Sequence, residues 1–244
     1  MNEVRVSVCM ATYNGAAFVG EQIRSILTEL EPQDELVIVD DASRDDTVDV
    51  IRRIADPRIT LHPRAVNHGY VRTFEEAMRL AGGDIVMLAD QDDVWIPGRR
   101  ALFVRALQEG AVAASNLVLL GSDAPLRSPI RRVPWRLSAR RSRQRLRNEL
   151  RILAGVAPYF GCAMAVRRDV VDRVLPFPSF LTESHDLWLA TFGNAQGLLV
   201  HIEQPTIRRR LHADNTSPSR PRGLAAVLRA RWMLLRAWRE ALRR

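Results

Sequence analysis

The strongest constraint on this chain is the alternation of short apolar runs with helical patterns over residues 1–120. Each apolar run is followed by a segment whose apolar residues recur at the spacing of one helical face. The runs that are typical of buried strands are residues 4–10, 35–39, 84–88 and 111–120. Repeated strand–helix units with uninterrupted apolar strands predict an α/β fold, in which a mostly parallel sheet is covered by helices on both faces.

The residue composition excludes several classes of protein. All 36 basic residues are arginine, which excludes a Walker P-loop and a Schiff-base site because both need the lysine amine. The 2 cysteines, Cys9 and Cys162, cannot form a disulfide framework, and no uncharged segment reaches the roughly 18 residues of a membrane-spanning helix. We therefore expect a reduced, cytoplasmic chain without a signal peptide.

Charge is distributed unevenly along the chain. Residues 1–120 contain 12 arginines and 19 acidic residues, whereas residues 121–244 contain 24 arginines and 9 acidic residues. A nucleic-acid binder could share the basic second half, but the acidic first half would repel phosphate, so no nucleic-acid partner is expected. Clustered carboxylates in the first half suit a divalent cation instead.

Acidic residues follow two of the predicted strands at the point where each strand ends. Asp40 and Asp41 follow one strand, and Asp90, Asp92 and Asp93 follow another. Because ligands of open α/β sheets bind at the carboxyl ends of the strands, we expect these side chains to converge on one crevice. Aspartate also favours turns and helix caps, and for Asp40 and Asp41 the two interpretations have about equal weight. Three carboxylates within four residues exceed what caps require, so residues 90–93 predict a Mg²⁺ or Mn²⁺ site.

An ordered set of five motifs resembles glycosyltransferase family 2. The motifs are VSVCMATYNG, VDDAS, LADQDDVW, FGCAMAVRRD and SHDLW, and the DQDDVW form is most similar to the rhamnosyltransferase-like members. The resemblance runs from about Val4 to Ser217 and implies a GT-A fold, which is a Rossmann-like α/β fold, together with an activated sugar donor and a divalent metal. It also implies a domain over residues 1–217, with a nucleotide-sugar half (1–120) and an acceptor half (121–217), followed by an appended segment at 218–244.

The resemblance places donor and metal residues in the first half. Ala11 and Tyr13 match the segment that lines the nucleotide base, and Asp41 matches the carboxylate that accepts a hydrogen bond from the pyrimidine imide. Asp92 matches the ribose-side acid of the acidic motif, and Asp93 matches its metal ligand. A cation between Asp93 and the donor diphosphate would offset the charge that accumulates as the nucleotide leaves.

The resemblance also implies a general base in the second half, and Asp186 is the carboxylate at that position. An acceptor hydroxyl must lose its proton as it attacks the anomeric carbon, and a positioned base contributes about 10²–10⁴ in rate. An acid in the first turn of a helix is also favoured by the macrodipole, but the other motifs favour catalysis. Glu183 is the reserve candidate for the base, His185 is interpreted as structural, and Asp90 is either a supporting group or a cap.

Residues 208–217 resemble the family segment that closes over the donor diphosphate. The alignment implies that Arg210 contacts the diphosphate and that His212 is a metal ligand, while Arg209 stands where the family often has tyrosine. Arginine pairs bidentately with phosphate, which suits such a role. A solvated basic edge strand is an alternative interpretation of nearly equal weight.

The segment 222–244 is predicted to form a basic amphipathic helix. It follows a basic stretch at 127–151 that contains ten arginines. An anionic membrane surface suits such a helix, and the alternative is that the helix packs on the rest of the chain or on a second subunit. The residues predicted to share its apolar face are Leu224, Val227, Leu228, Leu234, Leu235, Trp238 and Leu242.

Together these patterns predict an inverting, metal-dependent glycosyltransferase. The expected donor is dTDP-rhamnose, and the expected acceptor is a hydroxyl of a glycan or lipid-linked sugar in cell-surface polysaccharide synthesis. The expected location is the cytoplasm, with peripheral association at the inner face of the plasma membrane. Two alternatives stay open: a UDP-hexose-dependent enzyme of the same family, and a catalytically silent module of this fold that binds a membrane surface. The oligomeric state is not specified by any of these patterns.

Overall fold

The computed structural model describes residues 4–128, 133–212 and 223–244, and these form an eight-stranded sheet flanked by helices. The expected boundary between residues 217 and 218 lies outside the described residues. The strands are β1 (Val6–Thr12), β2 (Glu35–Asp40), β3 (Ile59–Pro63), β4 (Ile85–Ala89), β5 (Val94–Trp95), β6 (Val112–Leu119), β7 (Met164–Arg167) and β8 (Leu199–Arg209). The helices are α1 (Val19–Leu27), α2 (Thr47–Arg52), α3 (Tyr70–Leu80), α4 (Arg99–Glu109), α5 (Arg145–Ala154), α6 (Arg168–Val174), α7 (His185–Gln196) and α8 (Leu224–Arg243).

The strand order of the sheet is β3-β2-β1-β4-β7-β6-β8-β5. Strand β1 pairs in parallel with β2 and β4, β2 pairs in parallel with β3, and β6 pairs in parallel with β8. Strand β7 lies antiparallel between β4 and β6, and β5 is antiparallel to β8. The predicted α/β class is therefore confirmed, and the sheet is mixed because β7 and β5 run against their neighbours.

The sheet separates two apolar layers because alternate residues of a strand point to opposite faces. In β1, Cys9 lies in one layer while Val8 and Met10 lie in the other. In β4, Leu88 and Met87 are divided in the same way. Helices α3, α5, α6, α7 and α8 cover the first layer, and α1, α2 and α4 cover the second. Both faces are thus covered, as the uninterrupted apolar strands predict.

The start of the FGCAMAVRRD motif, residues 160–164, divides into a turn and a strand. Gly161–Ala163 is a single 3₁₀ turn closed by a bond from Ala163 N to Phe160 O (2.9 Å), and β7 begins only at Met164. The turn is stabilised because the carbonyl of Cys162 accepts a hydrogen bond from the buried Arg99 (2.7 Å) rather than from a neighbouring strand. Gly161 is required here, since a Cβ at this position would lie 2.6 Å from Nε2 of His185.

Helix α8 forms where a helix was predicted, and it packs against α7 and α5. Its buried side chains are Met233, Leu234, Ala237 and Ala241. Packing on the rest of the chain is therefore what the structure shows. The single predicted apolar face is wrong in part, because Leu224, Leu228, Leu235 and Leu242 are exposed instead of buried with Leu234. Among the described helices, none combines the length and the apolarity needed to cross a bilayer.

Candidate active site

The candidate site lies at the carboxyl ends of β2, β1 and β4, which are consecutive in the sheet. Hydrogen bonds join the ends of β1 and β2: Thr12 Oγ1 donates to Asp40 Oδ1 (2.8 Å) and Asp41 N donates to Thr12 O (2.8 Å). Asp40 also accepts from Ser43 N (2.9 Å), so its carboxylate orders the loop before α2. The side chains that follow these three strands are thereby brought to one edge of the sheet, as predicted.

Asp41 is buried at the end of β2 and is bonded to the loop before α3. Its Oδ1 accepts from His68 N (2.8 Å) and from the guanidinium of Arg64 (3.1 Å), and its Oδ2 accepts from Gly69 N (2.8 Å). A carboxylate offers about four lone-pair positions, so about one remains for a ligand. Asp41 therefore both fixes this loop and retains limited capacity for the imide bond that its predicted role requires.

The loop after β1 is joined to the loop after β4 by reciprocal hydrogen bonds. Tyr13 N donates to Oε1 of Gln91 (2.9 Å), and Nε2 of Gln91 donates to Tyr13 O (3.0 Å). The Tyr13 side chain is 43% exposed at the edge of the site, and Ala11 lies partly buried within β1. Gly15 completes the arrangement, because a Cβ there would lie 2.3 Å from the Gln91 side chain. Gln91 was not among the predicted site residues, although its position inside the acidic motif was a signal.

The acidic motif after β4 presents a buried carboxylate oxygen without a partner. Ligand atoms of Asp90, Asp93 and Cys162 lie within 4.8 Å of one another. Asp93 Oδ1 accepts from Arg210 N (3.1 Å), whereas Asp93 Oδ2 is buried and has no hydrogen-bond partner among the described residues. A divalent cation would satisfy exactly this kind of unpartnered oxygen, so the residues present fit the metal site that the motif predicts.

Burial and neighbouring charges raise the pKa values of two carboxyl groups in this motif. Burial, and then the charges of Asp90 and Asp92, raise the pKa of Asp93 to about 7. Burial and then the charge of Asp92 raise the pKa of Asp90 to about 6. Each buried negative charge therefore destabilises the next, and a bound cation would relieve this repulsion.

The end of β8 lies across the acidic motif. Besides its backbone bond to Asp93, Arg210 donates from Nε to Asp92 O (3.1 Å) and from Nη2 to Glu21 Oε2 (2.5 Å). His212 Nε2 lies 2.6 Å from Asp92 Oδ2, and the rings of His212 and Phe18 are 4.7 Å apart. The structure thus brings Arg210 and His212 to the acidic motif, with His212 against Asp92 rather than Asp93. The remaining residues of the predicted closing segment, 213–217, lie outside the described residues.

Asp186 lies in the first turn of α7 and interacts electrostatically with the acidic motif. Its Oδ1 accepts a hydrogen bond from Leu187 N (2.8 Å). Burial, with a smaller effect of the Asp90 charge, raises the pKa of Asp186 to about 6, while the bond from Leu187 N and the charge of Arg209 oppose the shift. A buried carboxyl group whose pKa lies near neutrality suits proton transfer.

His185 precedes Asp186 but points into the apolar layer. Its ring stacks on Phe74 with centroids 4.3 Å apart and meets Tyr70 edge-on at 5.7 Å. Burial lowers the pKa of His185 to about 3, so the ring is neutral at physiological pH. Both ring nitrogens lack a hydrogen-bond partner within the part of the chain that the structure describes. These contacts support the structural interpretation of this residue.

Arg99 is a fully buried cation beneath the acidic motif that the sequence analysis missed. Its guanidinium donates to Cys162 O (2.7 Å), Leu88 O (3.3 Å) and Thr206 Oγ1 (2.5 Å), so it links β4, the 3₁₀ turn and β8. The indole of Trp95 and the ring of Phe103 lie on it at 4.5 and 4.6 Å, which completes its enclosure. Burial lowers the pKa of Arg99 to about 10, which keeps it charged. An arginine in the first turn of a helix is disfavoured by the macrodipole, and this was the available signal.

Comparison with known proteins gives a family match over most of the chain. The sequence profile described as Glycosyl transferase family 2 matches residues 7–175. The UDP-Glc:alpha-D-GlcNAc-diphosphoundecaprenol beta-1,3-glucosyltransferase WfaP of Escherichia coli is 32% identical over 91 residues, which are 37% of this chain and 36% of that protein. The aligned part thus spans about a third of the length of the curated relatives that the chain matches.

Two solved structures share the fold. TarS 1-349 of S. aureus in complex with UDP-GlcNAc gives a TM-score of 0.72 at 16% identity, covering 96% of this chain and 66% of that chain. The mannosyltransferase PcManGT from Pyrobaculum calidifontis, in complex with GDP-Man and Mn²⁺, gives 0.65 at 21% identity, covering 99% of this chain and 65% of that chain. The two structures show the GT-A fold, and the family match shows that the chain belongs to glycosyl transferase family 2.

Proposed function

We propose that this chain transfers a sugar, with inversion at the anomeric carbon, from a nucleotide-sugar donor to an acceptor hydroxyl. The observation that carries the proposal is that the start of α7 lies beside the acidic motif. The ring of His185, the residue before Asp186, lies against Gly161. The Sγ of the next residue, Cys162, lies within 4.8 Å of ligand atoms of Asp90 and Asp93. These contacts support a crevice with two functional groups, a carboxyl group that can accept a proton and an acidic motif that can hold a cation. Both suit an inverting transfer, in which the base acts on the attacking hydroxyl on one side of the anomeric carbon and the cation offsets the charge of the leaving group on the other.

The proposed mechanism assigns one task to each group. Asp186 accepts the proton of the acceptor hydroxyl as its oxygen attacks the anomeric carbon, and the nucleoside diphosphate leaves from the opposite face. Asp93 would hold a Mg²⁺ or Mn²⁺ ion, with Asp90 and His212 near it. When bound, the cation supplies positive charge against the diphosphate as negative charge accumulates there. Arg210, which lies across the acidic motif, pairs with the same diphosphate and Asp92 binds the donor ribose.

The donor is proposed to be dTDP-rhamnose, on the resemblance of the DQDDVW segment to rhamnosyltransferase-like members. Ala11 and Tyr13 would line the base, and Asp41 would accept the imide hydrogen bond. Uracil and thymine share that imide edge, so a UDP-hexose is the alternative donor. The named ligands of the neighbours, UDP-GlcNAc for TarS and GDP-Man for PcManGT, support nucleotide-sugar binding in general.

The acceptor is proposed to be a glycan or a lipid-linked sugar in cell-surface polysaccharide synthesis. WfaP, by its name, acts on a sugar linked to diphosphoundecaprenol, which supports a lipid-linked acceptor. A lipid-linked acceptor is held in a bilayer, so an enzyme that uses it must reach the membrane surface. We accordingly propose a catalytic domain over residues 1–217, an appended helix at 218–244 and a peripheral location.

Ligand-induced thermal stabilisation tests the donor and the metal. A nucleotide at about 100 times its dissociation constant adds roughly 2.7 kcal/mol to the free energy of unfolding. We expect Mn²⁺ with dTDP to raise the melting temperature more than Mn²⁺ with UDP or GDP, and Asp93→Asn to abolish the metal dependence. A larger shift with UDP would favour the UDP-hexose alternative. No shift with any nucleotide would contradict the enzymatic proposal and favour the silent membrane-binding module.

A further inference from the structure

Helix α8 has a second apolar face that the rest of the chain leaves exposed. Its inner face, which contains Met233 and Leu234, is buried against α7 and α5. The outer face consists of five side chains with these exposed fractions: Leu224 76%, Leu228 62%, Trp232 64%, Leu235 39% and Leu242 59%. At about 100° per residue these five fall within a sector of about 80°. A helix that only packs on a domain needs one apolar stripe, and α8 has two.

The exposed side of α8 is also basic. Arg229, Arg239 and Arg243 are exposed and have no acidic partner among the described residues, and Arg236 lies over the ring of Phe180 at 4.1 Å. The one acidic residue of the helix, Glu240, is paired with Arg244 at 2.9 Å. A second copy of this chain would bring the same arginines against themselves, so charge disfavours self-association through this face. An anionic partner is the complementary one.

The neighbouring helix extends this basic and apolar character. Arg231 lies at the carboxyl end of α5, where a Cβ on Gly155 would be 2.2 Å from its guanidinium. Helix α5 itself exposes Leu146 (62%) and Leu150 (55%) together with the basic Arg147. The two helices in contact therefore share one composition on their exposed surfaces, which is leucine with arginine.

We propose that the outer face of α8 binds the surface of an anionic lipid bilayer with the helix axis in the membrane plane. A helix of 20 residues is about 30 Å long. Along this length the five apolar side chains would insert below the level of the lipid headgroups. The arginines beside that line lie at the level of the lipid phosphates. Because the inner face remains packed on α7, the catalytic crevice is held at a fixed orientation to the membrane. The site and its ligand, an anionic phospholipid surface, are independent of the donor specificity.

Vesicle co-sedimentation of the full chain tests the proposal without any donor or acceptor. We expect binding to phosphatidylcholine vesicles that contain phosphatidylglycerol, and weak binding to phosphatidylcholine alone. The triple variant Arg229→Glu, Arg239→Glu, Arg243→Glu should bind the anionic vesicles about a hundredfold more weakly, since each arginine contributes roughly a factor of five. The double variant Leu228→Ser, Trp232→Ser should also lose binding, while keeping the full positive charge.

A matched control is available on the opposite face of the sheet. Arg24, Arg53 and Arg105 are exposed and lie on or beside the helices that cover the other apolar layer. Replacing these three arginines by glutamate gives the same net charge as the α8 triple variant. The binding of this control to anionic vesicles should fall only modestly. Equal loss in both triple variants would overturn the proposal, since it would indicate a general charge effect rather than a binding face.

Fluorescence provides a second and independent measurement. Lipids brominated near the headgroup should quench the exposed Trp232, and this quenching should be absent from Trp232→Phe, whose melting temperature serves as the folding check. Failure of the parent chain to bind either vesicle would overturn the proposal. The proposal would also be overturned if the parent chain were a dimer and the double variant Leu228→Ser, Trp232→Ser were a monomer. The face would then be an interface between copies of the chain.

Discussion

The titration of Asp186 gives the sharpest prediction for catalysis. Burial and the neighbouring charge of Asp90 raise its pKa to about 6, against an ordinary model-peptide value of about 3.9. A general base must be ionised to accept a proton, so activity should be full above this pKa and should fall as the pH drops through it. At pH 5, about one in eleven molecules would have the ionised carboxylate, which predicts an about tenfold lower kcat than at pH 8.

The assay is the pH dependence of kcat at saturating donor and metal, with donor affinity measured in parallel. Asp186→Asn should lower kcat by about 10²–10⁴ and leave donor binding near that of the parent, because the base acts on the acceptor. The acidic limb of the profile should disappear from the residual activity of this variant. Glu183→Gln is the matched control and should keep both the rate and the limb.

The opposite pattern would refute the assignment. An Asp186→Asn variant with parental kcat, or one that keeps an acidic limb near pH 6, would place the base elsewhere. Loss of the limb in Glu183→Gln would then identify Glu183 as the group that titrates.

Three further predictions concern the groups around the acidic motif. Without metal, the raised pKa of Asp93 should add about 1.4 kcal/mol to the free energy of unfolding at pH 6 relative to pH 8, because the folded chain takes up a proton that the unfolded chain does not. Asp93→Asn should remove this contribution in denaturant titrations, while those of Asp90, Asp186 and His185 remain. Arg99→Met should reduce the free energy of unfolding by about 3 kcal/mol, because it leaves the carbonyl of Cys162 and other buried acceptors without a donor; an unchanged urea midpoint would contradict this. Gly15→Ala should displace Gln91 and raise the KM for the donor several-fold, with less effect on kcat. An unchanged KM would contradict this, because it would show that Gln91 can move without weakening the binding of the nucleotide base.

The placement of the acidic residues was predictable because it follows from local signals. Asp41 and Asp93 come directly after apolar runs, and the carboxyl ends of parallel strands meet at one edge whatever the details of the loops. The assignment of Asp186 as the base came from the resemblance alone and stays a prediction, and the raised pKa of this carboxyl group is compatible with it. Periodicity also predicted the helices of the first half, including α1 with its buried Val19, Ile23 and Ile26.

Features that depend on distant parts of the chain were not predictable. The burial of Arg99 depends on carbonyls and rings from β4, β5 and the 3₁₀ turn, none of which can be paired with it by spacing. The antiparallel position of β7 was missed because a short buried run has no intrinsic direction. The sequence of α8 could not show which apolar residues pack on the domain and which are exposed, because leucine occurs on both faces of the helix.

The position of β7 has a consequence for how this protein must be made. β4 and β6 belong to the first 120 residues, yet the strand between them is supplied by Met164–Arg167. Until those residues have left the ribosome, two interior strands keep open edges that can pair with any other extended chain. Fragments that stop before residue 164 should therefore form inclusion bodies on expression, and a gene split at residue 120 should yield soluble protein only when both pieces are produced together.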